Sequence, residues 1–235
     1  MNILLVDTEH DRVHEHPETG AAHRAKLDRA RDRLATVAGV PCAVVGFAAV
    51  DADTIPRHGA AAVVIGGMTT EWADYPAPSL AGLLALIRAA AVPTLGICAG
   101  HQLIGLAHGA PWGPLGPLAA AEVDPDPRFA PGQRKERGFL PISADRRCPL
   151  FAGLDAAPVF FQSHSWGLNA VPAGFVARAS SPWSPIQVIE RRDRPVFGVQ
   201  FHPERADAAY PHGDALLRNF FRLARERGSS VTEIS

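Results

Sequence analysis

Cysteine is scarce in this chain: 235 residues hold three, Cys42, Cys98 and Cys148. An odd and widely spaced set gives no disulfide framework and suits a reducing compartment. An excess of either charge is also missing. The net charge is -1 at pH 7, so no global field draws in nucleic acid or an anionic membrane, and neither is expected as a partner. No apolar run approaches the roughly 18 residues of a membrane helix. The start, Met1 to Asp7, lacks a basic segment and is too short in apolar length for a signal peptide. A cytoplasmic location is the expectation.

Two kinds of motif are absent as well. There is no Gly-x-x-x-x-Gly-Lys-Ser/Thr loop for a nucleotide. There is also no His/Cys set with a familiar metal-ligand spacing. The sequence therefore calls for no cofactor and no metal. The polar stretch after the first strand carries His10, His14 and His16 with Glu9 and Asp11. It reads as a solvated loop rather than a ligand set. It does follow the carboxyl end of a strand, where ligands gather in open α/β sheets, so substrate or partner contact is a secondary expectation.

What is present is enough for one sizeable core. With 47% hydrophobic residues, the reading is a single domain over 1–235, its tail from Gly228 frayed. Apolar runs at Ile3–Val6, Cys42–Phe47, Ala61–Ile65 and Val92–Ile97 read as buried strands. They alternate with helical stripes over Ala21–Ala38 and Leu80–Ala90, and a further helix is expected over His101–Ala107. In the first stripe, Lys26, Arg29 and Arg33 are expected to face water. After Ala107 come a Pro/Gly-rich excursion with one short strand near Ala120–Val123, then strands without helices, then a closing helix over Asp214–Arg225 capped by Asp214. Glu71 to Pro78, with Trp72 and Tyr75, is expected to be exposed. The fold class is α/β, an open and mostly parallel sheet with helices on both faces and a few antiparallel strands.

The chain is organised around Gly96-Ile97-Cys98-Ala99-Gly100-His101-Gln102. A nucleophile between two glycines, at a turn from strand to helix, is the nucleophile-elbow pattern. Helix N–H groups then point at the sulfur. The competing reading is a buried structural cysteine beside packing glycines. Phe197-Gly198-Val199-Gln200-Phe201-His202-Pro203-Glu204 supplies a His and, two positions on, a carboxylate. Cys98, His202 and Glu204 are thus candidates for nucleophile, base and orienter. Gly66-Gly67 follows a strand, as a plain turn or as an oxyanion hole. Gln102 lies one turn beyond Cys98, facing the same pocket or lying as an amide on the helix surface. His164 follows a strand as a second base or a pocket wall.

The two motifs together resemble the class I (triad) glutamine amidotransferases, nearest in look to the glutaminase portion of GMP synthetase and its stand-alone relatives. Weaker matches lie at Gly66-Gly67, Glu136-Arg137-Gly138, Ser163-His164 and Pro185-Ile186-Gln187. The resemblance implies a flavodoxin-like sheet and hydrolysis of L-glutamine to glutamate and ammonia through a Cys98 thioester. It also implies an oxyanion hole from the Gly67 and Ala99 N–H groups, and substrate contacts at Gln102, His164, Ser165 and Trp166. In that family the ammonia passes to a synthetase, which would here be a separate chain. Met68 stands where relatives often carry proline, and Trp166 where some carry aspartate. The same triad would also serve a stand-alone γ-glutamyl hydrolase. A third reading, a non-catalytic regulatory subunit on a retained fold, is one that the intact Cys98, His202 and Glu204 argue against.

Overall fold

The computed structural model describes residues 2–71 and 74–232, with side chains as far as 227. Trp72 lies outside them, as do residues 233–235.

An eight-stranded sheet forms the centre. Its order is β2 (Cys42–Gly46), β1 (Asn2–Asp7), β3 (Ala60–Ile65), β4 (Thr94–Ile97), β12 (Val196–Val199), β11 (Val188–Arg191), β10 (Phe175–Ser180) and β7 (Ser143–Ala144). The strands from β2 to β12 pair in parallel. From β12 outward the pairing is antiparallel. Two antiparallel pairs stand apart, β5 (Trp112–Pro114) with β9 (Trp166–Leu168) and β6 (Glu136–Pro141) with β8 (Val159–His164).

Period-two alternation sends the apolar residues of the parallel strands to opposite faces. Ile3, Leu5, Val64 and Ile97 meet Leu34 and Ala38 of α2 (Pro17–Ala38) and Leu217 and Phe220 of α6 (His212–Thr232). Leu4, Val6, Val63 and Ile65 meet Leu83 and Ile87 of α4 (Ala81–Ala89) and Leu103 and Ile104 of α5 (Ala99–Ala107). The helices on both faces and the antiparallel extension are those expected.

Several local expectations change. The histidine-rich stretch is helical rather than a loop: α1 (Asp11–Glu15) precedes α2, which begins at Pro17. His10 and His16 act as N-caps, their rings accepting from Arg12 N and Thr19 N. Histidine is not among the usual cap residues, so pattern reading missed both starts. A short α3 (Thr54–His58) fills the next connection. No strand forms at 120–123; the short strand of the Pro/Gly-rich excursion is β5, which finds a partner in β9. Tyr75 is buried, not exposed, and its hydroxyl donates to Thr8 O at 2.7 Å. α6 starts at His212 and its backbone continues to Thr232, past the expected end. Asp214 is not its cap but pairs with Arg33 at 2.5 Å, so Arg33 does not simply face water.

Candidate active site

The site forms at the carboxyl ends of β3, β4 and β12. Cys98 leaves β4 with φ 53° and ψ -102°, a region that L-residues enter only under strain. The flanking glycines make that turn possible. A Cβ on Gly96 would stand 2.4 Å from Gly100 O, and one on Gly100 would stand 2.4 Å from Ile65 O. Strand, elbow and helix therefore approach more closely than any side chain allows. Cys98 N donates to Val199 O at 2.8 Å, which fixes the elbow against β12.

The segment that follows β12 brings in the histidine. His202 N donates to Phe161 O at 2.8 Å, and Pro203–Arg205 makes a 3-10 turn. That turn folds Glu204 back, placing Oε1 2.8 Å from His202 Nδ1. The His202 side chain is buried and that of Glu204 nearly so. Burial alone would lower the His202 pKa, but the charge of Glu204, the charge of Cys98 and hydrogen bonds to both raise it to about 9. Burial would likewise raise the Glu204 acid, yet His202 and, more weakly, Lys26 hold it below the usual range. The other two thiols are unlike Cys98 in place and chemistry. Burial pushes Cys42 up to about 11 and Cys148 up to about 12, leaving each a protonated side chain.

Gly67 sits against both Cys98 and His202. A Cβ there would stand 3.0 Å from His202 Cε1 and 3.3 Å from Cys98 Cβ. The loop carrying it is held from below. Gly66 O accepts from Gly100 N at 3.1 Å and from Thr8 Oγ1 at 3.1 Å. Glu9, buried at the end of β1, accepts from Thr69 N, Thr69 Oγ1 and Thr70 Oγ1, each at 2.8 Å, and from His10 N at 3.1 Å. This clamp was missed in the sequence, because its two halves lie 60 residues apart.

Burial disfavours the Glu9 carboxylate, but these four donors outweigh it and hold its pKa below the ordinary value. A depressed acid stabilises the fold above its unfolded pKa and loses that contribution as pH falls through the folded one. Glu9→Gln removes the charge and turns an amide donor towards donors. We expect a loss of about 1.5–3 kcal/mol at neutral pH, read as a lower urea midpoint with unchanged slope, and a smaller difference in acid.

Across the cleft, β6 and β8 place Glu136 directly opposite His164. His164 Nε2 lies 3.0 Å from Glu136 Oε2, and His164 Nδ1 lies 2.9 Å from Trp166 O. Gln187 Nε2 donates to the same Glu136 oxygen at 2.6 Å. Both nitrogens of His164 are thus engaged away from Cys98, as in a wall and not as in a free base. Gln102 turns inward, its Nε2 donating to Trp166 O at 3.3 Å and to Gln200 Oε1 at 3.4 Å. Gln200 Nε2 reaches Cys98 Sγ at 3.6 Å. Ser165 O accepts from Leu115 N at 2.8 Å.

Cys98, Ala99, Gln102, His164, Ser165, Trp166 and His202 line one cavity of about 170 Å³. The fold brings together every expected site residue, with Gly67 packed beside Cys98 and His202. Lys26 and Arg205 also line this cavity. Lys26 therefore does not merely face water, and the Arg205 guanidinium stacks 3.5 Å over the Phe161 ring. His101 points the other way. It is fully buried behind the elbow, and burial pushes its pKa down to about 3.

Most of the chain has counterparts among known proteins. The family model for glutamine amidotransferase class-I matches residues 30–224. The chain belongs to that family. A protein of Pyrococcus abyssi, named as a subunit of GMP synthase (glutamine-hydrolyzing), is 33% identical over 135 residues, covering 57% of this chain and 62% of that one. The GMP synthase (glutamine-hydrolyzing) of Acetivibrio thermocellus is 34% identical over 129 residues, 55% of this chain but 22% of that one. The chain thus spans under two thirds of either curated relative. A crystal structure of a putative GMP synthase subunit from Thermoplasma acidophilum superposes with a TM-score of 0.72 at 23% identity, covering 99% of this chain and 98% of that one. It shares the fold. Among the described residues, no helix of this amidotransferase-family chain is long and apolar enough to cross a membrane.

Proposed function

We propose that this chain is a glutaminase subunit, hydrolysing L-glutamine to glutamate and ammonia, with the ammonia passed to a separate synthetase chain. The observation that carries the reading is the Cys98 elbow at φ 53°, with His202 bonded to Glu204 at 2.8 Å and Gly67 packed against both Cys98 and His202.

In this reading the Cys98 sulfur attacks the side-chain amide carbon of glutamine. The carbonyl oxygen, now an oxyanion, accepts from the Gly67 and Ala99 N–H groups. His202, as imidazolium, gives its proton to the departing nitrogen, and ammonia leaves. Neutral His202 then takes a proton from water, which attacks the γ-glutamyl thioester and releases glutamate and the Cys98 thiolate. Glu204 orients the ring and favours its charged form. Gln102 and the backbone of Ser165–Trp166, with His164 as its support, hold the amino-acid end.

The partner part rests on the Pyrococcus relative being named as one subunit of its synthase. The acceptor of the ammonia would be bound by that second chain.

An electrophilic glutamine analogue tests the site. After incubation and digestion, mass spectrometry is expected to find one adduct, on the Cys98 peptide, with excess glutamine protecting it. An adduct on Cys42 or Cys148 alone, or none on Cys98 in folded protein supplied with an ammonia-accepting synthetase, would overturn the reading.

A further inference from the structure

We propose that Asp7, His14 and His23 form a binding site for a divalent metal ion of the zinc type, built where α1 and α2 fold back over the end of β1. The histidine-rich stretch supplies one ligand to it, and the other two come from elements on either side.

The geometry converges on one point. His23 Nε2 lies 3.1 and 3.0 Å from the two Asp7 oxygens, and His14 Nε2 lies 3.2 Å from Asp7 Oδ2. One ligand atom from each residue lies within 4.8 Å of the others. Donors bound to one zinc ion at about 2.0–2.2 Å must sit about 3–4 Å apart, so a small closure of the two rings completes the set. Two imidazoles and one carboxylate are an N/O donor set that suits zinc and its neighbours and leaves a further position open.

The surroundings are those of a built site. Asp7 and His23 are buried, and the two rings meet edge to face with centroids 4.8 Å apart. The approach of α2 to α1 is allowed by Gly20, where a Cβ would stand 2.4 Å from His14 O. Any other residue there would push His14 away from His23. The neighbouring histidines are not part of it, since His10 and His16 are used as caps.

The position has meaning in the sheet. β1 is flanked by β2 and β3, so the chain reverses direction across the sheet at the carboxyl end of β1, where open α/β folds bind ligands. Asp7 and His23 line a cavity of about 460 Å³ there, which reaches Gly66, Gly67 and Glu204. Glu9 is two residues from Asp7, and its amide donates to Asp7 Oδ1 at 3.1 Å. A metal on Asp7 would therefore tie α1 and α2 to the strand end that clamps the Gly67 loop.

Zinc titration calorimetry tests this in a Cys98→Ala background, which removes a competing sulfur ligand. We expect one saturable zinc per chain, unchanged by His10→Ala. His14→Ala, at a half-exposed position, is expected to weaken it by more than about 100-fold, beyond the usual effect of an outer-shell partner. His23→Ala should do the same. Cobalt in place of zinc is expected to show ligand-field bands without thiolate charge transfer. No saturable binding, binding unmoved by His14→Ala in folded protein, or a thiolate band would each overturn the site.

Discussion

Cys98→Ala is expected to abolish glutamate release from glutamine, by on the order of 10⁶-fold, while the protein stays folded. The size follows from losing a nucleophile that acts as a unit with its base. Nothing nearby can substitute. Cys42 and Cys148 are held as thiols by burial, up to about 11 and about 12, and neither lines the Cys98 cavity. The fold should survive because alanine meets the same backbone that cysteine meets. Cys98 stands at φ 53° and ψ -102°, a sparsely populated region in which a residue with a Cβ costs about 1–3 kcal/mol. Cys98→Gly should relieve that strain, so the glycine variant should melt above the alanine one. Both should be equally inactive. Glutamate release and thermal unfolding on the three proteins decide the matter. Residual turnover in Cys98→Ala within tenfold of the parent would remove the thioester route. Equal melting of the two variants would remove the strain argument.

The elbow was legible in the sequence because its parts are local. Gly96, Cys98 and Gly100 lie within one strand-helix turn, and the clashes that require glycine arise among Gly96, Gly100 and the end of β3. The His202–Glu204 pair was legible for the same reason, spanning two residues. The parallel strands were legible because they are buried on both faces and read as continuous apolar runs. What the sequence hid depends on pairing at a distance. Glu136 meets His164 only through the register of β6 on β8. Glu9 meets Thr69 and Thr70 only because β1 and β3 are neighbours. Asp7, His14 and His23 have no motif spacing, since a strand end and two helices assemble them. α1 was hidden for a chemical reason: its N-cap acceptor is an imidazole nitrogen, in a run that reads as polar loop. Tyr75 was misplaced because exposed and buried turns look alike in composition, whereas its hydroxyl has a backbone acceptor at Thr8.

Glu204→Gln tests the electrostatics of the site, and it should move two quantities together. The first is rate. Glutamine lacks the charge that favours imidazolium, so kcat/KM for glutamine should fall by about 10²–10⁴-fold. The second is pH dependence. His202 is raised to about 9, against burial, mainly by the Glu204 charge and then by Cys98. In the proposed mechanism the protonated ring is the acid that releases ammonia. Activity should therefore hold up to about pH 9 in the parent and fall above it. Without the Glu204 charge, burial dominates, and the alkaline limb should shift towards the ordinary value of 6.5. Stability follows the same sign. A raised histidine contributes fully below its unfolded pKa, and the contribution fades as pH rises from 6.5 through about 9. Glu204→Gln should thus destabilise the protein more at pH 6 than at pH 10. Initial rates and urea midpoints across that range report both effects. An alkaline limb that stays in place would mean that Glu204 orients the ring without charging it. A shifted limb with an unchanged rate at neutral pH would mean that proton delivery to the leaving ammonia does not limit turnover.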